Sequence, residues 1–152
     1  MTLTGSNHGD SQTGGFRRIR AAERLGLVYA RIALGAAFLS AVADRFGLWG
    51  KYGGWRNFAN FEKYTAQVNS FMPAPMIPFL AWAATVAELL FGIALIVGIW
   101  TRWVARASAV LLFLFGTAMA ISFGIKSPLD YSVFSASAGA FLLSLYPTER
   151  DR

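Results

Sequence analysis

Hydrophobic residues gather in four runs along this chain: Leu25–Phe46, Met76–Trp100, Trp103–Phe123 and Leu129–Tyr146. A helix needs about 20 apolar residues to cross a hydrocarbon core about 30 Å thick. The first three runs meet that length. The fourth is shorter, but tyrosines of the kind that mark membrane interfaces, Tyr131 and Tyr146, stand near its two ends. The pattern predicts an all-α integral membrane four-helix bundle over residues 16–148. Residues 1–15, polar and rich in glycine, read as a disordered tail, and residues 149–152 as a short charged tail.

The connector between the first two runs has its own periodicity. Phe58, Phe61, Thr65, Val68 and Met72 recur at helical spacing, while Arg56, Asn60, Lys63 and Gln67 take the opposite face. Gly53-Gly54-Trp55 precedes this stretch, and Pro73 and Pro75 end it. It predicts an amphipathic interfacial helix between spans 1 and 2, lying flat over the mouth of the bundle.

Composition narrows the class further. The chain of 152 residues is 55% hydrophobic and 14% charged, against about 25% charged in soluble domains. Its net charge of +6 is arranged beside the apolar runs, which is the pattern of membrane orientation rather than of nucleic-acid binding. Arg17, Arg18, Arg20, Arg24, Arg102, Arg106, Arg150 and Arg152 fall on one side of a four-span topology. Arg45, Lys51, Arg56, Lys63 and Lys126 fall on the other. The larger cluster predicts both termini in the cytoplasm and a place in the cell (inner or plasma) membrane. A rival reading takes Arg17-Arg18, an apolar run and Ala41-Val42-Ala43 as a cleaved signal. Arg31 and the length of the segment argue against it.

With no cysteine and one histidine, His8, the chain cannot hold an iron–sulfur cluster, a thioether haem or a bis-histidine haem by itself. No phosphate loop, nucleophile elbow or metal-ligand spacing is present, so no metal is assigned and the catalytic residues stay unknown. Candidate chemistry rests on charge inside the membrane. Glu88 sits mid-span on a stripe with Ala81, Thr85, Gly92 and Leu95. Arg31 lies on a stripe of span 1 with Gly35, Phe38, Val42 and Arg45. An ionisable group at that depth costs roughly 3 kcal/mol and is kept for a reason. Arg31 and Glu88 are therefore expected to form an intramembrane polar pair, structural or proton-handling. A second cluster, Asp44, Arg45, Trp49, Trp55, Arg56, Asn57, Lys126, Asp130 and Tyr131, is expected at the other end as a ligand mouth.

These residues resemble the DoxX family of small four-span membrane proteins, over about Leu25–Tyr146. The likeness rests on Arg31-Ile32-Ala33-Leu34-Gly35 and on Glu88-Leu-Leu-Phe-Gly92-Ile-Ala-Leu95-Ile-Val-Gly98, followed by Thr101-Arg102. The family often carries Gly-x-x-Lys where span 1 ends. Here Ala41-Val-Ala-Asp44-Arg45 stands instead. The resemblance implies the fold and a redox-linked setting, since relatives include a membrane subunit of a thiosulfate–quinone oxidoreductase.

Three functions are compatible with the sequence. The first is an accessory or anchoring subunit of a quinone-linked membrane complex, with partner subunits and quinone as a lipophilic ligand. The second is a transport or binding protein, proton-linked or for small molecules, built on Glu88. The third is a structural assembly subunit.

Overall fold

The computed structural model describes residues 8–146, and their side chains from residue 21 onward. Among the described residues six α-helices follow one another: α1 (His8–Arg45), α2 (Phe58–Val68), α3 (Ile77–Val97), α4 (Thr101–Phe123), α5 (Lys126–Asp130) and α6 (Val133–Ser144). Three helical segments are long and apolar enough to cross a membrane, Ala21–Arg45, Ala74–Val97 and Thr101–Phe123. The chain is an all-α membrane helical bundle.

Helix α1 packs on α3, α3 on α4, α4 on α6 and α6 back on α1, which closes a four-helix ring. Phe38, Leu95, Ala105 and Leu143, one from each helix, meet in its core. Large apolar side chains such as Phe79, Trp82, Leu90, Phe113 and Leu114 point outward. In water that would be an aggregation surface, whereas in lipid it is the solvated face. Small residues let the helices close in. A Cβ on Gly116 would strike the Phe134 ring, so α6 lies directly over α4. Ser137 donates to the Ala109 carbonyl at 2.8 Å in the same contact.

The structure departs from the sequence reading at both ends. Helix α1 begins at His8, inside the stretch expected to be an irregular tail. Once a helix is nucleated, each further residue adds a hydrogen bond, and no proline stands in the way. Residues 1–7 and the charged tail at 149–152 lie outside the described residues. The fourth run, expected as one span, is divided. Lys126–Asp130 forms α5, Ser132 turns into the left-handed region with φ 54°, and α6 then runs for 12 residues. At 1.5 Å per residue α6 is about 18 Å long.

The amphipathic helix is present as α2. Asn57 caps it, accepting from the Asn60 amide at 2.9 Å, and such a cap stabilises a helix start by about 1 kcal/mol. Phe61, Thr65 and Val68 are buried, Phe58 is half-buried, and Lys63 and Gln67 are exposed. Its far end is tied to α4 by Ser122, which donates to the Val68 carbonyl at 2.6 Å.

Candidate functional site

The site grows from the packing of α1 on α3. These helices run antiparallel, and a Cβ on Gly35 would stand 2.9 Å from the Gly92 carbonyl oxygen. That backbone approach fixes the register. Arg31 falls beside Gly98, while Arg45 falls beside Thr85 and Glu88.

Arg45 is therefore the partner of Glu88. Arg45 Nη2 lies 2.6 Å from Glu88 Oε2, and Nη1 donates to Thr85 Oγ1 at 2.9 Å. Thr85 in turn donates to the Ala81 carbonyl at 2.8 Å, which leaves its oxygen free to accept from the guanidinium. Arg45 is 2% exposed and Glu88 3%. A pair so enclosed is screened far less than a surface pair, and removal of either member leaves a buried charge.

Aromatic rings cover the pair. The Arg45 guanidinium carbon lies 3.8 Å from the Phe61 ring centroid and 5.8 Å from that of Trp55. Trp55 meets Phe61 edge-on at 5.1 Å, and Phe58 packs on Trp82 at 4.3 Å. The cation thus sits between a carboxylate below and π faces above, both of which favour its charge.

Pairing Arg31 with Glu88 is not what the structure shows. Arg31 is ten residues' rise, about 15 Å, from Glu88 along the bundle, because it sits level with Gly98. Gly98 caps α3 with φ 79°, and the guanidinium rests where its Cβ would be. A positive charge complements the carbonyl end of α3 there.

The residues of the expected mouth take individual roles. Asp44 fastens the loop, its Oδ2 accepting from the amides of Gly54 at 2.9 Å and Trp55 at 3.3 Å. This holds Trp55 over Arg45. Trp49 donates to the Ser40 carbonyl at 3.1 Å. Arg56 is exposed with φ 64°, and Asn57 is the cap of α2. Lys126 and Asp130 bond to each other at 2.5 Å on α5, both exposed, as one turn of helix brings i and i+4 together. Tyr131 is exposed but near enough to Tyr64 to act on it electrostatically. Burial first, and Tyr131 second, push the Tyr64 phenol above its ordinary pKa.

The roles of Phe61 and Thr85 were signalled only indirectly in the sequence, through their places on the apolar face of α2 and on the Glu88 stripe. Among the described residues no cluster of three or more histidines and acids is placed to hold a metal.

Comparison with known proteins gives one match. A family model described as DoxX matches residues 26–123, a segment holding α2, α3, α4 and most of α1. No curated protein matches, and no solved structure does.

Proposed function

We propose that this chain, which belongs to the DoxX family, is an accessory subunit of a quinone-linked redox complex. The observation behind this reading is the Arg45–Glu88 pair, closed from solvent beneath Phe61 and Trp55. Ionisable groups at membrane depth are costly, and pathways and ligand sites are where they persist.

One donor of the site suits a quinone head group. Its carbonyl oxygens accept hydrogen bonds, and Arg45 Nε is a buried donor without a partner. Arg45 would hold a carbonyl oxygen through Nε. When bound, a quinone supplies two-electron, two-proton redox chemistry. Thr85 orients the guanidinium, Glu88 balances its charge and offers a carboxylate for a proton, and α2 keeps water out. With no cysteine and one histidine in the sequence, electrons come from a partner subunit in this reading. The setting is the cell membrane, with both termini cytoplasmic and the Arg45 end on the opposite side.

The test is purification from native membranes in mild detergent, with quinone extraction and mass spectrometry of co-purifying proteins. Wild type should carry quinone and a redox partner, and Arg45→Met should lose the quinone. Wild type that carries neither would overturn the reading. The tight closure of the pair favours a second reading, a fastener between α1 and α3. A neutral Arg45→Met/Glu88→Leu double variant that keeps complex activity would establish that role instead.

A further inference from the structure

We infer that the protein binds an anionic phospholipid on the outer face of the first turns of α4, at the opposite end of the bundle from Arg45. Arg102 and Arg106 hold the head group, with Trp103 beside them. Arg102 and Trp103 are exposed and Arg106 is half-buried. The Arg106 guanidinium carbon lies 5.1 Å from the Trp103 ring centroid. Side chains on a helix lean toward its N-terminus, so this stacking carries the Arg106 charge back toward Arg102. Their Cβ atoms, one helical turn apart, are about 5–6 Å from each other.

Both arginines lack an acid to neutralise them. No aspartate or glutamate stands between Glu88 and Asp130 in the sequence. Among the described residues neither arginine forms an ion pair, whereas Arg45 and Lys126 each have one within the chain. Two like charges one turn apart repel, and a phosphate between them replaces that repulsion with attraction. Guanidinium and phosphate also match in geometry, two N–H donors to two oxygens. A zwitterionic lipid brings its own ammonium, for which this face offers no carboxylate. An anionic lipid brings the phosphate charge without it.

The arginines stand where a lipid head group lies. Helix α4 is long and apolar enough to cross a membrane, and Arg102 is its second residue. Continuing from Arg106 at the same four-residue spacing, Val110 and Leu114 are exposed. One stripe of the helix thus offers charge for a head group and apolar surface for its acyl chain. Trp100 and Trp103 are also exposed, and indoles concentrate at the level of lipid head groups. Trp100 takes the left-handed region with φ 47°, a conformation that bulky residues seldom adopt.

Purified protein reconstituted in vesicles of equimolar phosphatidylglycerol, phosphatidylethanolamine and phosphatidylcholine tests this. After mild-detergent extraction, native mass spectrometry counts the retained lipids. Each arginine near a membrane surface is worth roughly a fivefold preference for anionic lipid, so wild type should retain phosphatidylglycerol about 25-fold above phosphatidylcholine. Arg102→Gln and Arg106→Gln should each lower that ratio roughly fivefold, and the double variant should return it to the vesicle ratio. The single variants decide the matter if the double does not fold. Lys51→Gln/Lys63→Gln removes the same net charge at the other end and should leave the ratio unchanged. Equal retention of the three lipids by wild type would overturn the site. So would enrichment that persists in Arg102→Gln/Arg106→Gln, or that falls as far in the lysine variant.

Discussion

Gly35 of α1 and Gly92 of α3 touch backbone to backbone. A Cβ on Gly35 would stand 2.9 Å from the Gly92 carbonyl oxygen, and one on Gly92 would stand 3.1 Å from that of Gly35. Every polar pairing between the two helices follows from that contact, because it decides which side chains share a level.

Gly35→Ala is expected to separate the helices, since the obstruction is partly backbone and cannot rotate away. The loss should be about 1–3 kcal/mol, the range for overpacked interiors. Thermal unfolding in detergent measures it. Gly98→Ala should also destabilise, through its positive φ and its contact with Arg31. Wild-type stability in Gly35→Ala would show that this contact does not set the spacing of the two helices.

Glu88→Ala should cost more than the Arg45→Met/Glu88→Ala double variant, because the single change leaves Arg45 buried and unpaired. The coupling is expected at about 2 kcal/mol, within the range for contacting residues. Arg31→Met should add independently to Glu88→Ala. Coupling of Arg31 rather than Arg45 to Glu88 would reverse the assignment.

Cysteine labelling is clean on a chain with no cysteine of its own. Single cysteines at positions 63 and 67 should react readily, and those at 61, 65 and 68 slowly, following burial on α2. Equal rates at all five would mean that α2 does not cover Arg45.

Tyr64 predicts an alkaline effect. Its pKa is raised in the fold by burial and by Tyr131, so the folded state holds the proton longer than the unfolded one. The associated stability is fully present below the unfolded value, near pH ~10, and is lost as pH rises through the folded pKa. Thermal midpoints measured across that range should fall, and less steeply in Tyr64→Phe. Identical slopes would assign the decline to other groups.

Much of this was legible in the sequence, for separable reasons. Span lengths and the two faces of α2 are local periodicities, so Phe61 and Val68 were placed inward and Lys63 outward before any contact was known. Glu88 announced itself because lipid makes a carboxylate conspicuous. Its partner did not. Choosing between Arg31 and Arg45 needs the axial offset of two helices, and that offset comes from the Gly35–Gly92 approach. The hydrogen bonds of Asp44 were illegible for a related reason: they depend on how the loop returns to offer the Gly54 and Trp55 amides, a path no spacing rule encodes. The division of the last run turned on Ser132, a residue with little warning of a left-handed turn.

The brevity of α6 has a consequence for the bilayer itself. A helix of 12 residues covers roughly 18 Å of a hydrocarbon core near 30 Å. Neighbouring α4, with 23 residues, spans it fully. Lipids around the bundle must therefore match two thicknesses, full height along α4 and a dimple along α6. Deforming a leaflet costs fractions of a kcal/mol for each ångström of mismatch. The α6 flank thus becomes the place where thinner membrane, or a second protein that shares the depression, is energetically preferred.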